Sequence, residues 1–544
     1  MRTMKMNMTI SKFRLFLVPV LVMLFAATAY AAAPGIKGNT FNLTAQSAFI
    51  SQPDGQSVYS WGYGCTGNSP GTATFAPATT TAPFCNTMQV PGPTLIVTQG
   101  QTVTITLTNN LPASAGNTSI LFPGFTVTTT GGVVGLMTQE AAPGGTVTYS
   151  FVASTPGTRA YYSGTQGDLQ VEMGLYGAII VLPSTIPGNC TSGLAAANLA
   201  VEGNWGEHDY RLAAAAYNHP RACYDREYLF QFSEMDPAIH RNALAQVTAK
   251  NGCLAGAAGC SLDVPTEPYR PAYFMINGRS MPDDMDPNYA REYPHQPYNG
   301  NPHMHPGEQV LLRIIGQGRW QHPFHEHGNH VRILARDGNL ILASTTPGEV
   351  NLAGPLFFTT TTTPGLAMDG IFYWTARGLN WDAYGHNPGS SDPNATLPCT
   401  PDANGYNTGA TTAINYYEWC QDHNKPLEVA PFGDVANGGP ATLPDPNIFA
   451  NGPWYSGSPY LGPDATARAT FGSCTGTNNT TSCSTTGTTP PSGTIANNPS
   501  SEAGFAFMWH SHNEREITTN NIFPGGMLMM MLVDSREFQI DESM

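Results

Sequence analysis

Charge is scarce in this sequence. Asp, Glu, Lys and Arg make up 11% of its 544 residues, where an average soluble domain has roughly 25%, and only five lysines are present. The balance of 23 basic and 38 acidic side chains gives a net charge of −15. That is the wrong sign for embracing a phosphate backbone, which excludes nucleic acid as a partner. Long apolar runs are missing as well: after Leu15–Ala27 no stretch approaches the length needed to cross a bilayer, which excludes a membrane bundle. There is no phosphate-cradling glycine loop with a lysine, no GxSxG elbow and no HExxH helix, so nucleotide and hydrolase chemistry find no support.

What is present points to an all-β chain. Hydrophobic residues reach 41%, enough for more than one buried core and too many for disorder throughout. The 57 glycines and 45 prolines favour many short strands joined by tight turns. PTLIVTQGQTVTITLT, from Pro93 to Thr108, alternates apolar with Thr or Gln side chains and is broken by NNLP, a strand, turn, strand pattern. GGTVTYSFVAS, GLYGAIIVLP, REYLFQFSEM, YFMINGRSMP, EQVLLRIIG and HVRILARDGNLILAS continue in the same style, and GFAFMWHSH and MLMMMLVD close the chain. These runs predict a first domain over 35–185, a linker over 186–225, and a second domain over 226–386 and 504–535. The segment 387–503, rich in Gly, Pro, Ser, Thr and Asn, reads as a long insertion into that second domain.

The first 31 residues read as a signal peptide. Arg2, Lys5, Lys12 and Arg14 precede the apolar run, and Ala29-Tyr30-Ala31 supplies small residues where a signal peptidase reads. Uncut, the same run could just anchor the chain in a membrane. Cleavage after Ala31 removes four positive charges and no negative ones, taking the net charge from −15 to −19, as expected for a secreted or envelope protein. No cysteine follows closely enough for a lipid-modified terminus. Ten cysteines in an oxidising compartment imply disulfides. Sequence neighbours suggest 65 with 85, 190 with 223, 253 with 260, 399 with 420 and 474 with 483, though spacing alone leaves the connectivity open. Cys420 with His423 has a metal-ligand spacing, but Cys399 offers Cys420 a partner.

Histidines carry the strongest chemical signal. Four crowd into HPFHEHGNH at 322–330, and two form HSH at 510–512. Residues i and i+2 of a strand face one way, so His325 with His327 and His510 with His512 each present two imidazoles in one direction. If the two strands are neighbours, four imidazoles converge, a set suited to copper, zinc, nickel or iron. His322, His330, Glu514 and Glu516 are candidate accessory ligands or orienting groups, although both glutamates also fit a solvated surface. The alternative is a group of hydrogen-bonded core histidines.

PGPTLIVTQGQTVTITLTNNLP, MGLYGAIIVLP, HPFHEHGNHVRILARDG and WHSHNEREITTNNIFPGGM together resemble the multicopper oxidase superfamily. The resemblance covers most of 90–385 and 504–534 and implies two Greek-key cupredoxin-like β-barrel or sandwich domains. It also implies a blue type 1 copper that takes electrons from substrate and a three-copper cluster that reduces oxygen. By the same resemblance His322 matches a type 1 ligand, and His325, His327, His510 and His512 match the half of the cluster given by the last domain.

The departures from the family are as informative. Leu121 and Pro123 stand where the first HxH pair belongs, and Tyr162, Ser163 and Gly164 occupy the second first-domain motif, with Met173 alone similar to an axial ligand. Ser511 replaces the type 1 cysteine, Glu516 stands where the next type 1 histidine is expected, and Met527 is a displaced axial candidate. A serine hydroxyl stays protonated near neutral pH and cannot supply the thiolate on which a blue centre depends.

Three functions remain in view. The first is a secreted cupredoxin-fold protein of the cell envelope or surface that binds metal ions, copper before zinc, through the four histidines. The second is an oxidoreductase of the multicopper class, acting on metal ions or phenols, with divergent or partner-supplied sites. The third is a structural module of an extracellular assembly or homo-oligomer that keeps its histidines as remnants. Weaker metal candidates are the thioethers of Met527, Met529, Met530 and Met531, which also suit a core strand, and His303 with His305. Trp381, Asp382 and His386 fit a surface between strands or domains.

Overall fold

In the computed structural model of the protein the described residues are 33–66, 72–76, 84–85, 87–204, 206–377, 399–421 without 412 and 414, 457–460, 474–475, 482–483, 504–534, 536 and 539–540. The signal-peptide reading, His423, His386 and most of the 387–503 segment lie outside them.

Two pairs of β-sheets account for the architecture. In the first pair, one sheet orders Gly157–Tyr162, Tyr176–Leu182, Leu95–Thr98, Gly35–Lys37 and Thr74–Ala76; the other orders Ser57–Cys65, Thr40–Ser51, Thr102–Asn109, Thr146–Val152 and Thr128–Gly131. The alternation seen in the sequence is the cause: Val103, Ile105 and Leu107 turn inward to meet Val147, Tyr149 and Phe151, while the intervening threonines face out. Gly100 makes the turn between Leu95–Thr98 and Thr102–Asn109 at φ +86°, a conformation that glycine adopts without a Cβ penalty.

The second pair holds the histidines. One sheet runs Tyr273–Ile276, Arg226–Met235, Gln309–Gly316, Ala367–Tyr373, Val331–Arg336 and Asn339–Leu340. The other runs His303–Met304, Leu528–Asp534, Gly504–Ser511, His322–Glu326 and Thr359–Thr362, with Gly457–Tyr460 added beside Gly504–Ser511. Their shared core is aromatic, with Phe230, Phe324, Phe372, Phe507 and Trp509, and it takes in Met527, Met529 and Met531. The methionine run is thus a core strand, with alternate thioethers packed inward.

A small apolar layer joins the two sandwiches, setting Ala160, Ala178 and Ile180 against Leu229, Ile315 and Ala367. Beside it Asp369 accepts hydrogen bonds from the Thr158 amide at 3.1 Å, the Thr158 hydroxyl at 2.6 Å and the Tyr217 hydroxyl. Arg313 donates to Thr158 Oγ1 at 3.0 Å and to Glu227 Oε2 at 2.8 Å.

Three α-helices lie among the strands of the described residues, the shortest being Gly167–Gln170. Pro237–Ala249 starts where Asp236 accepts from the Ala238 amide and proline fills the first turn, the standard N-terminal arrangement. Leu194–Asn204 is the Ala-rich stretch before the second sandwich. Disulfides join Cys65–Cys85, Cys190–Cys223, Cys253–Cys260 and Cys399–Cys420. Cys420 is therefore taken from any metal site. Cys474 and Cys483 stand opposite each other across a two-stranded ladder.

Candidate metal centre

The His322–Glu326 strand lies between Thr359–Thr362 and Gly504–Ser511, both antiparallel to it. Register does the gathering. His325 pairs directly with His510, Phe324 with Ser511 and Glu326 with Trp509. One face of this ladder sends Phe324 and Trp509 into the core, and the other carries imidazoles. His327 and His512 follow just beyond the ends of their strands.

Ring centroids are 4.6 Å apart for His325 and His327, 5.0 Å for His325 and His512, 5.1 Å for His327 and His510, 5.5 Å for His510 and His512, and 5.6 Å for His325 and His510. His325, His327 and His510 are buried, and His512 opens the group to solvent with its side chain 52% exposed. Among the described residues no three His, Cys, Asp or Glu side chains already close on a single ion position. The four rings are neighbours, with one of them at the surface.

Hydrogen bonds orient the buried rings. His510 Nδ1 lies 2.7 Å from the Ser511 carbonyl, which can only accept, so the proton sits on Nδ1 and the Nε2 lone pair is left exposed. That Nε2 faces His327 Nε2 at 3.3 Å. His325 Nδ1 meets Thr359 Oγ1 at 2.8 Å, and the Trp509 indole donates to the His327 carbonyl at 2.9 Å. Burial, with His510 and His512 alongside, pushes His325 down to about 4. Burial also lowers His510. Neutral imidazoles are the form that ligates a metal.

The other candidates stand elsewhere. His330 is exposed and rests on Phe358, which also touches the His325 ring. Glu514 is a surface residue, 3.9 Å from His512 Nδ1. Glu516, by contrast, is buried at 1% exposure. His303 Nδ1 meets Asp534 Oδ2 at 2.7 Å and His305 Nε2 meets Glu207 Oε2 at 2.9 Å, so both rings of that pair are engaged by carboxylates.

The residues at the blue-copper position do not fit a blue copper. His322 is fully buried and both nitrogens meet carboxylates: Nε2 lies 3.0 Å from Glu234 Oε2 and Nδ1 lies 2.9 Å from Glu516 Oε2. Ser511 Oγ donates to the same Glu516 oxygen at 2.5 Å. The first sandwich fits the rest of a three-copper cluster no better, since no histidine precedes His208. Leu121 pairs with Tyr162 across a backbone bridge, and Ser163 Oγ and Thr118 Oγ1 both donate to Gln170 Oε1. Met173 is packed in the core of that sandwich. The four rings of the second sandwich are an imidazole set that suits copper by itself.

Glu234, Thr359 and Phe358 were not legible as site residues. Each reaches the histidines across strands, and sequence spacing does not reveal strand register.

Two family models, each described as multicopper oxidase, match residues 69–185 and 265–371. The second match takes in His322, His325 and His327, and His510 and His512 lie beyond it. A curated relative, laccase abr2 of Aspergillus fumigatus, is 38% identical over 98 residues, which are 18% of this chain and 16% of the laccase. The chain thus matches less than a fifth of that relative's length. Among solved structures, multicopper oxidase mgLAC is similar at 16% identity, with a TM-score of 0.41, over 91% of this chain and 86% of that one. A blue copper oxidase from Nitrosomonas europaea is similar at 14% identity, with a TM-score of 0.41, over 91% of this chain and 85% of that one. Two multicopper oxidase matches in chain order, one in each strand-built sandwich, support the multicopper oxidase superfamily for this chain.

Proposed function

We propose that this chain is a secreted copper-binding member of the superfamily that holds copper through His325, His327, His510 and His512, without a blue centre or a complete three-copper cluster. The observation that carries the reading is the His510 ring, which spends its Nδ1 proton on the Ser511 carbonyl and turns a bare Nε2 toward His327 Nε2 at 3.3 Å. Backbone-anchored imidazoles of this kind are typical of metal ligands, because the second hydrogen bond fixes the tautomer and raises basicity. Copper bound there would supply a one-electron couple. The protein's part is to bury three of the rings, with burial favouring the neutral form of His325 and His510, while the exposed His512 would complete the set. The signal-like leader and the imidazole cluster support a sequestration or surface role in the cell envelope.

Elemental analysis of the leaderless protein, after copper loading and desalting, tests this against a His510→Ala, His512→Ala double variant. About one or two coppers per chain, lost in the variant and giving no blue band, is the expected result for four imidazoles. No retained copper would overturn the reading in favour of a scaffold kept for its surface. Three or more coppers with a blue band would restore the oxidase.

A further inference from the structure

The blue-copper position is not an empty remnant. His322 opens its strand and faces Arg226–Met235 and the 511–516 turn, and each of those elements sends one glutamate to it. Nε2 is in hydrogen-bond contact with Glu234, and Nδ1 lies within ion-pair distance of Glu516, off the line of a good hydrogen bond. Two carboxylates on either side of a ring that no solvent reaches favour its doubly protonated, positive form. Such an arrangement survives burial only when the leftover lone pairs are also occupied.

They are occupied. Glu234 Oε1 accepts from the Arg319 amide at 2.7 Å, the Trp320 amide at 2.8 Å and the Tyr269 hydroxyl at 3.2 Å. Glu516 Oε2 takes the Ser511 hydroxyl, and its Oε1 accepts from Asn513 Nδ2 at 2.8 Å. The network ties four segments together: Arg226–Met235, the 319–322 approach, the 511–516 turn and, through Tyr269, the first sandwich at Glu172 Oε2, 2.8 Å from the hydroxyl.

We infer that Glu234, His322 and Glu516 form a metal-free carboxylate–imidazolium–carboxylate bridge that has replaced the family's blue copper, and that it pins the turn that follows His510 and carries His512. A charge-assisted hydrogen bond to Glu234 and an ion-pair contact with Glu516 make the bridge a stronger tie than neutral bonds would be. Burial by itself would lower the imidazole, but its close contacts with the charged Glu234 and Glu516 outweigh it and hold the group at about 9. His322 is a positioning residue. The bridge stands apart from the copper proposal: it requires no ion anywhere in the chain.

Nuclear magnetic resonance of the leaderless protein, deuterated and labelled with 15N-histidine, reads the bridge directly. His322 is expected to show directly bonded protons on both ring nitrogens up to pH 8, with the ring assigned by through-bond correlation and by the Glu516→Gln variant. That variant leaves one neutral acceptor, so one of the two ring protons should be lost within the neutral range. Adding Cu(I) anaerobically, or Zn(II), should leave both His322 protons in place. A single ring proton at pH 7 in the unliganded protein, or loss of the Nδ1 proton on adding either metal, would overturn the inference. If His322 keeps its protons and no ring responds to either metal, the copper reading of the four histidines fails and the bridge stands.

Discussion

Thr359 and His325 are direct partners across two antiparallel strands, and the threonine hydroxyl lies 2.8 Å from the imidazole Nδ1. That contact fixes which edge of the ring faces His510 and His512. Isosteric removal of the hydroxyl tests its worth, because Thr359→Val keeps the β-branch and the strand preference while deleting the partner. Outer-sphere groups of this kind typically affect metal affinity by about 10–100-fold. Copper competition titrations on Thr359→Val should show a loss in that range with an unchanged far-ultraviolet spectrum. Equal affinity in the two proteins would mean that the hydroxyl plays no part in holding the ring.

Asp369 joins the two sandwiches. It accepts from Thr158 of the first at 3.1 and 2.6 Å and from Tyr217, with Arg313 Nη1 3.7 Å away. Asp369→Ala strands these donors in a buried place and leaves Arg313 with Glu227 as its remaining close carboxylate. Breaking a buried charged network by removing one partner costs roughly 3–5 kcal/mol, so urea unfolding should show a loss of that order. Asp369→Asn keeps an acceptor and should lose less. A variant as stable as the parent would show that the apolar layer of Ala160, Ile180, Ile315 and Ala367 holds the sandwiches together without help.

The strands were legible because their chemistry is local. Val103, Ile105 and Leu107 alternate with threonine, and such a pattern states which side faces the core wherever the strand ends up. The i and i+2 histidines were legible for the same reason. What the sequence does not reveal is partnership at a distance: Glu234 lies 88 residues before His322, and nothing in REYLFQFSEM announces that its glutamate points at a histidine. Glu516 reads as a surface residue from its neighbours Asn513, Glu514 and Arg515, all exposed, and only the fold turns it inward. The Pro237–Ala249 helix carried its start signal in Asp236-Pro237, but its buried side is small, with Ile239, His240 and Ala243, so the apolar period that marks a helix is faint.

Asp225 supplies a test in pH. Its Oδ2 accepts from the Gln309 amide at 2.7 Å and from Asn198 Nδ2 at 3.1 Å, fastening the Leu194–Asn204 helix to the second sandwich. Burial, followed by the nearby Glu308 charge, pushes this carboxyl up to about 6. The unfolded chain has the ordinary value of about 3.9. A group raised in the folded state is stabilising when protonated: its contribution is complete below the unfolded value and is lost as pH climbs through the folded one. Between pH 4 and pH 7 the parent should therefore lose stability from this group, on the order of 3 kcal/mol at one pK unit per 1.36 kcal/mol. Asp225→Asn cannot ionise and still offers an acceptor to Gln309. Urea midpoints measured at both values should bring the variant from below or level with the parent at pH 4 to above it at pH 7. If the difference between the two proteins is the same at both pH values, Asp225 is ionised in the folded state throughout, and the cation of Arg211, 4.0 Å from Oδ1, controls it instead of burial.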